Sequence, residues 1–426
     1  MAIARITSRG RIFHGWYIVA VAAIAGASSG VLGYSFGLFF NPMQESLGWN
    51  RTSVSWALTI RSAVAMLTGP LYGPIVDLRH GAMILMMIGG ILLGISMMLT
   101  AMMTELWQFY LLIGVLYGFA MGAEGSQVVA PVLVSKWFIR KRGRALAIVT
   151  LGPNVGNIIF IPIAAYIITH LGWREAWFIS GLTALLLVTP LSGLFIRRTP
   201  EDIGLVPDGT AVDPKSLLPM TQAKVKLATD YDWTIREAVR TPALWLMVVS
   251  FTISGAGLHG FLVHVIPALT DKGYSTSFAT TMVAELSIVV LFAKMAWGIL
   301  GERIETRYLI MASFSLAALG MVMVIVIDSG PLILLLPIVY GIGGAGYGPL
   351  SSLMWANYFG RGSLGSIRGV FLPITQVLGT FSPVFAGAVF DRRGSYDLAF
   401  VIYAICFVIA VGVIYLSRQP KIPSKQ

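Results

Sequence analysis

Apolar residues in this chain neither alternate nor recur at every third or fourth position. They fill repeated runs of about 18–25 residues, separated mostly by short polar turns. As a helix, each run is long enough to cross roughly 30 Å of hydrocarbon. Backbone polar groups in lipid must be satisfied within the chain, so helices are the expected form. Alternating strands of about ten residues are absent, which argues against an outer-membrane barrel. The pattern predicts an all-α membrane protein with twelve transmembrane helices near 14–39, 54–77, 81–103, 107–134, 144–169, 174–196, 242–269, 276–301, 308–328, 331–357, 366–390 and 396–417.

One long hydrophilic stretch, 197–241, interrupts the series and carries Pro200, Pro207, Pro214 and Pro219. It divides the chain into a six-helix half at 1–196, a linker at 197–241 and a second six-helix half at 242–426 with a short tail. The halves share punctuation. Gly73-Pro-Ile-Val-Asp77 follows span 2, and Gly298-Ile-Leu-Gly-Glu302-Arg303 follows span 8, about 225 residues later. The basic turn Arg140-Lys-Arg-Gly-Arg144 after span 4 is echoed by Arg361 and Gly365-Ser-Ile-Arg368-Gly369 after span 10 at nearly the same offset. A parallel repeat of this kind predicts a substrate site at the midplane between the halves.

Composition agrees, with 56% hydrophobic and only 12% charged residues. The formal net charge of +11 could suggest a nucleic-acid partner, but its distribution says otherwise. One side carries the basic N-terminus, alternate loops, the linker and the tail; the opposite side has only Arg51, Arg174, Lys272, Arg392 and Arg393. Excess Lys and Arg marks the cytoplasmic face, so both termini are expected inside a cytoplasmic membrane. Arg5, Arg9 and Arg11 before an apolar run resemble a signal peptide. No small-residue cleavage site precedes Tyr34, and the run reads as a retained first span. Cys406, the single cysteine, cannot form an intrachain disulfide and reads as an apolar filler.

The Gly-x-x-x-Asp after span 2, its copy after span 8 and the basic turn after span 4 resemble the major facilitator superfamily. More narrowly, His14-Gly-Trp-Tyr, Tyr34-Ser-Phe-Gly, Pro42-Met, Gly48-Trp-Asn-Arg, Tyr358-Phe-Gly-Arg and Leu364-Gly-Ser-Ile-Arg-Gly resemble bacterial monocarboxylate-transporter-type members, with the oxalate/formate antiporters as a related group. The resemblance covers essentially the whole chain. It implies two six-helix bundles related by a pseudo-two-fold axis, rocker-switch alternating access, and a cavity lined by spans 1, 4, 7 and 10. Asp77-Leu-Arg-His-Gly81 departs from the family by an extra residue and by lacking a basic residue directly after the Asp. That leaves the first loop's usual charge contacts open, while Glu302-Arg303 keeps them in the second.

Ionisable residues inside spans are costly and are functional candidates. Lys294 lies deep in span 8 amid apolar neighbours. Either it snorkels to an interface, or its ammonium binds a carboxylate in the cavity. The resemblance favours the second reading, since monocarboxylate and oxalate carriers have a basic residue at the matching place. The family residue is usually Arg, which offers a bidentate fork where Lys offers a point charge. Animal carriers have an Asp one turn earlier; here it is Val290, so a proton relay must use another group. His264 in span 7 and Glu124 in span 4 are the candidates, each with a structural hydrogen-bonding alternative. His259 lies about 140° from His264 around the helix, so the two share no face for a metal. Glu285 is too distant along span 8 to pair with Lys294. Arg61, in span 2, reads as an outer gate or ion-pair partner rather than a substrate ligand. Tyr34, Gln127, Asn154, Asn157, Tyr347 and Gln376 could orient a substrate, and Gly343-Gly-Ala-Gly-Tyr-Gly-Pro349 would let span 10 bend. Asp77, Glu302, Arg303, Arg144 and Arg368 read as gating or structural residues.

No P-loop, no Cys/His metal spacing and no nucleophile elbow with acid and base partners appears, so neither an enzyme nor a cofactor is expected. The sequence therefore reads as a secondary transporter, a functional monomer moving a small lactate- or pyruvate-like monocarboxylate, with a proton, across a lipid bilayer. An oxalate/formate-type exchanger and a proton-driven exporter of amphipathic compounds are the alternatives. Span 11 lacks the lysine of oxalate carriers around Ile374 to Gln376, which favours one carboxylate over two.

Overall fold

The computed structural model describes residues 12–30, 36–49, 51–124, 128–209, 231–327 and 330–421, and every regular element among them is helical. The chain forms two compact units: Met1–Asp232 with Phe359–Leu372, and Trp233–Tyr358 with Pro373–Gln426.

In the first unit lie α1 (His14–Gly30), α2 (Phe36–Leu47), α3 (Arg51–Leu67), α4 (Gly69–Asp77), α5 (Gly81–Thr100), α6 (Leu106–Phe109), α7 (Tyr117–Glu124), α8 (Val129–Trp137), α9 (Arg142–His170) and α10 (Trp173–Phe195). The second begins with α11 (Ile235–Val239), α12 (Pro242–Asp271), α13 (Thr276–Leu300), α14 (Thr306–Val326), α15 (Leu336–Ala345) and α16 (Tyr347–Phe359). Then come α17 (Leu364–Arg393), whose first turns are counted with the first unit, and α18 (Asp397–Leu416). Ten helices among the described residues are long and apolar enough to cross a membrane. The other two predicted spans correspond to α1, of 17 residues, and to the pair α3–α4.

Span 2 is split because Pro70 has no N–H to continue the ladder; the Thr68 hydroxyl donates to the Ala65 carbonyl at 2.7 Å. Span 4 is wound unevenly. Between α6 and α7 the segment Tyr110–Leu116 is a π-helix, whereas span 10 opens with the tight 3-10 turn Pro331–Leu335.

Spans 1 and 5 touch through their backbones. A Cβ at Gly152 or Gly156 would collide with the carbonyls of Ala23 and Ala27, so only glycine permits this approach. The first unit's core gathers Phe39, Leu93, Phe109, Ile113, Tyr117 and Trp177. Outside it, large apolar side chains such as Ile158, Leu186, Phe292 and Val384 are exposed. An apolar exterior of this extent is suited to lipid.

The start of the linker is ordered against the first unit. Trp137 Nε1 donates to the Arg197 carbonyl at 2.9 Å. The Asp208 carboxylate accepts from the N–H groups of Ile139, Arg140 and Lys141 at 2.8–3.1 Å, holding Asp208 at φ 62 in the left-handed region. At the far end, Gly362 N–H donates to Asp232 at 2.7 Å. The chain re-enters helix α11 through a Thr234–Glu237 capping box.

Candidate functional site

Two polar clusters stand out in the first unit. The first is built on Asp77, the last residue of α4. Its Oδ1 pairs with Lys136 at 2.7 Å, and its Oδ2 accepts from both the N–H and the hydroxyl of Ser366 at 2.8 Å. Gly365 N–H adds a longer bond to Oδ1 at 3.3 Å. Asp77 thus caps the N-terminal turn of α17, where unpaired N–H groups and the helix dipole favour an anion. The charge contact missing from the 77–81 loop is supplied by Lys136 in α8. Lys136 is only 3% exposed, and its carbonyl in turn accepts from Arg361 at 3.2 Å. Arg361 also pairs with Glu201 of the linker at 2.9 Å.

Arg198 donates weakly to the Asp77 carbonyl and pairs with Asp202 at 3.1 Å. Partial burial would raise the Asp202 carboxyl, but Arg198 and the Thr199 N–H outweigh it and hold Asp202 below the usual carboxylate range. Arg144 and Arg368 are half-buried near the starts of α9 and α17. Glu302 and Arg303 occupy the turn after α13, with Glu302 half-buried and Arg303 exposed.

The second cluster is deep in the helices. Tyr117 and Glu124 lie a heptad apart on one face of span 4. The Tyr117 hydroxyl donates to the Ser29 carbonyl of α1 at 2.7 Å, and the Arg61 guanidinium of α3 lies 5.7 Å from the Tyr117 ring centre. Glu124 is 1% exposed. Among the described residues, neither of its carboxyl oxygens has a hydrogen-bond partner. The Ser29 hydroxyl lies beside the carboxyl but outside hydrogen-bond geometry; it bonds instead to the Gly26 carbonyl at 3.2 Å. Gly89 of α5 makes the space, since a Cβ there would come within 2.9 Å of Glu124 Cγ. Asn154 is half-buried and Asn157 buried in α9. Tyr34 and Gln127 lie outside the described residues.

In the second unit, Lys294 is half-buried in α13, one turn before Trp297, whose Nε1 donates to the Ile342 carbonyl of α15 at 2.7 Å. His264 Nε2 donates to the Pro383 carbonyl, 2.9 Å away, and the ring lies against Tyr396. A carbonyl can only accept, so this contact makes Nε2 the protonated ring nitrogen. His259 contacts its own helix, with Nδ1 3.0 Å from the Gly255 carbonyl. The Tyr347 hydroxyl donates to the Phe251 carbonyl at 3.2 Å, and Tyr340, a heptad earlier, donates to Leu258. Gln376 is half-buried in α17.

Several of these residues gave little signal in the sequence. Lys136 reads as one more basic residue at a membrane end; only its place 225 residues before Arg361 hints at a special role. Tyr117 reads as an ordinary aromatic, although the Tyr-Gly pairs at 117–118 and 340–341 are repeat-related.

Comparison with known proteins fixes the class. Residues 21–383 match the profile of the Major Facilitator Superfamily, and the chain belongs to that family. Human monocarboxylate transporter 11 is 25% identical over 423 residues, covering 96% of this chain and 84% of that protein. Rat monocarboxylate transporter 13 is also 25% identical, over 404 residues, covering 94% and 88%. Among solved structures, the proton:xylose symporter XylE superposes with a TM-score of 0.71 at 14% identity, covering 95% of this chain and 96% of that one. The human organic anion transporter MFSD10 gives 0.68 at 16% identity, covering 94% and 99%. The fold is therefore the major facilitator fold, with two six-helix bundles. The chain is a membrane transporter, not an enzyme, related at low identity to monocarboxylate transporters.

Proposed function

We propose that the protein is a proton-coupled carrier of small monocarboxylates, lactate- or pyruvate-like, working by rocker-switch alternating access. The observation that carries this reading is Lys294, an ammonium within the apolar membrane-length helix α13 of a chain related to monocarboxylate transporters. A deep cation in low dielectric offers a carboxylate a strong electrostatic partner, and binding offsets desolvation of both groups. Tyr347 and Asn154, with Tyr34 and Gln127, orient the substrate in this reading. His264 or Glu124 exchanges the proton. Arg61, Asp77, Glu302, Arg303, Arg144 and Arg368 serve gating or packing.

In this proposal the bundles are 1–196 and 242–426, joined by the linker 197–241. The protein acts as a monomer in the cytoplasmic membrane with both termini inside.

Uptake of labelled lactate, pyruvate, oxalate and formate into proteoliposomes, with and without an imposed pH gradient, tests the reading. Lactate or pyruvate should accumulate when the outside is acid. Lys294→Ala should reduce uptake by at least about 100-fold, the scale of removing one charged partner from a desolvated pair, while Lys294→Arg should retain part of it. Unchanged uptake in Lys294→Ala would remove the anion site.

A further inference from the structure

The two units build the same interhelical ladder with one rung changed. In the second unit, Tyr340 and Tyr347, seven residues apart, send hydroxyl protons to the carbonyls of Leu258 and Phe251, also seven apart, on the antiparallel α12. In the first unit Tyr117 forms the matching first rung with the Ser29 carbonyl of α1. Tyr117 and Tyr340 stand 223 residues apart in the sequence, and the same offset carries Tyr347 onto Glu124. Ser313, which in the second unit donates to the Gly343 carbonyl, has Gly89 as its counterpart about 224 residues earlier. Removing that side chain opens the space that Glu124 fills. A hydroxyl rung has been replaced by a carboxyl.

We infer that Glu124 is a proton-binding site, that its acid form is the one this packing accepts, and that it rather than His264 is the group that loads and releases the coupled proton. The coupling part rests on the proposed symport; the occupancy part does not. The slot is built for a donor, because its occupant in the other unit donates to a helix carbonyl. A carboxylic acid has an O–H to give, whereas a carboxylate only accepts. Among the described residues, no hydrogen bond answers its charge. Among the described residues, α1 offers only His14 and Tyr17 in its first turn, α5 offers no titratable group, and α4 offers Tyr72 and Asp77, the latter paired with Lys136. The Ser29 hydroxyl already gives its hydrogen to Gly26. The Arg61 guanidinium of α3 lies over the Tyr117 ring, a heptad from Glu124. Burying a carboxylate without a hydrogen bond or a counter-charge costs several kcal/mol, and the neutral acid avoids most of that cost. His264, by contrast, has its Nε2–H committed to the Pro383 carbonyl, which leaves only Nδ1 to take up a proton.

Two readouts on the intact reconstituted protein test this. The first is infrared difference spectroscopy across a pH titration. The wild type should show a protonated-carboxyl C=O band that disappears in Glu124→Gln and persists, shifted, in Glu124→Asp. The second compares substrate exchange at equal pH with accumulation driven by a pH gradient. Glu124→Gln, which mimics the neutral acid, should keep exchange and lose accumulation by about 10-fold or more, about 1.4 kcal/mol.

Absence of the band in the wild type overturns the proton site. So does accumulation by Glu124→Gln at the wild-type level. If the band is present but no monocarboxylate is transported, the substrate reading falls and the proton site stands. Should Glu124→Gln fail to fold, labelling of the wild type by a hydrophobic carbodiimide, which attacks protonated carboxyls, decides the matter. A label on Glu124 supports the assignment, and its absence rejects it.

Discussion

A lysine left only 3% exposed needs its charge answered close by, and Asp77 Oδ1 at 2.7 Å does so. Asp77 is in turn tied to Ser366 at the start of α17, so each charge depends on the other. Lys136→Ala is therefore expected to destabilise the protein by roughly 3 kcal/mol, the low end for breaking a buried pair. Lys136→Met combined with Asp77→Asn should cost less than the sum of the two single changes. Thermal unfolding in detergent measures both, and additive losses would show that the pair is not coupled. At this scale the sequence was uneven. Lys294 and Glu124 were legible because a charge inside an apolar run has no routine explanation. The Lys136 pairing was not, since a lysine at the end of a span has an easy one. The tie from His264 to Pro383 joins residues far apart in the chain, and no spacing rule anticipates it.

Most helices lie where the apolar runs placed them, within a few residues, because length and hydropathy together determine what can sit in lipid. The break in span 2, the π segment of span 4 and the tight opening turn of span 10 were not legible in the hydropathy, which is blind to how a helix is wound, whereas the glycines at 343–348 did mark where α15 gives way to α16. Two predictions belong to elements. Gly152→Leu should prevent spans 1 and 5 from meeting at Ala23, and the yield of folded protein in size-exclusion chromatography should collapse. Asp208→Ala strips a carboxylate from three backbone N–H groups, each hydrogen bond contributing at most about 1 kcal/mol at this largely exposed site. Faster hydrogen exchange at 139–141, with the transmembrane helices unaffected, is the expected result. Unaltered exchange there would mean that the linker merely rests on the loop.

For the whole molecule, the repeat and the basic asymmetry were visible in the sequence because both are long-range statistical properties. The clusters within each unit were not, because they depend on which helix faces which. The proposed orientation can be checked with the single native cysteine removed by Cys406→Ala. In that background a membrane-impermeant thiol reagent added outside intact cells should label Tyr274→Cys and spare Lys141→Cys. The opposite pattern would invert the topology.

The π-helix at Tyr110–Leu116 gives span 4 a second possible alignment. A π-turn holds one residue more than the α-turn it replaces. Deleting one residue from that segment would restore regular winding and leave Tyr117 and Glu124 facing α1. Rewinding it as α-helix with every residue kept would turn everything beyond it by about 100°, and Tyr117 and Glu124 would swing away from α1 together. The alignment of this helix is therefore stored in how one short segment is wound, and a change of winding there would act on Glu124 as a substitution of Glu124 itself.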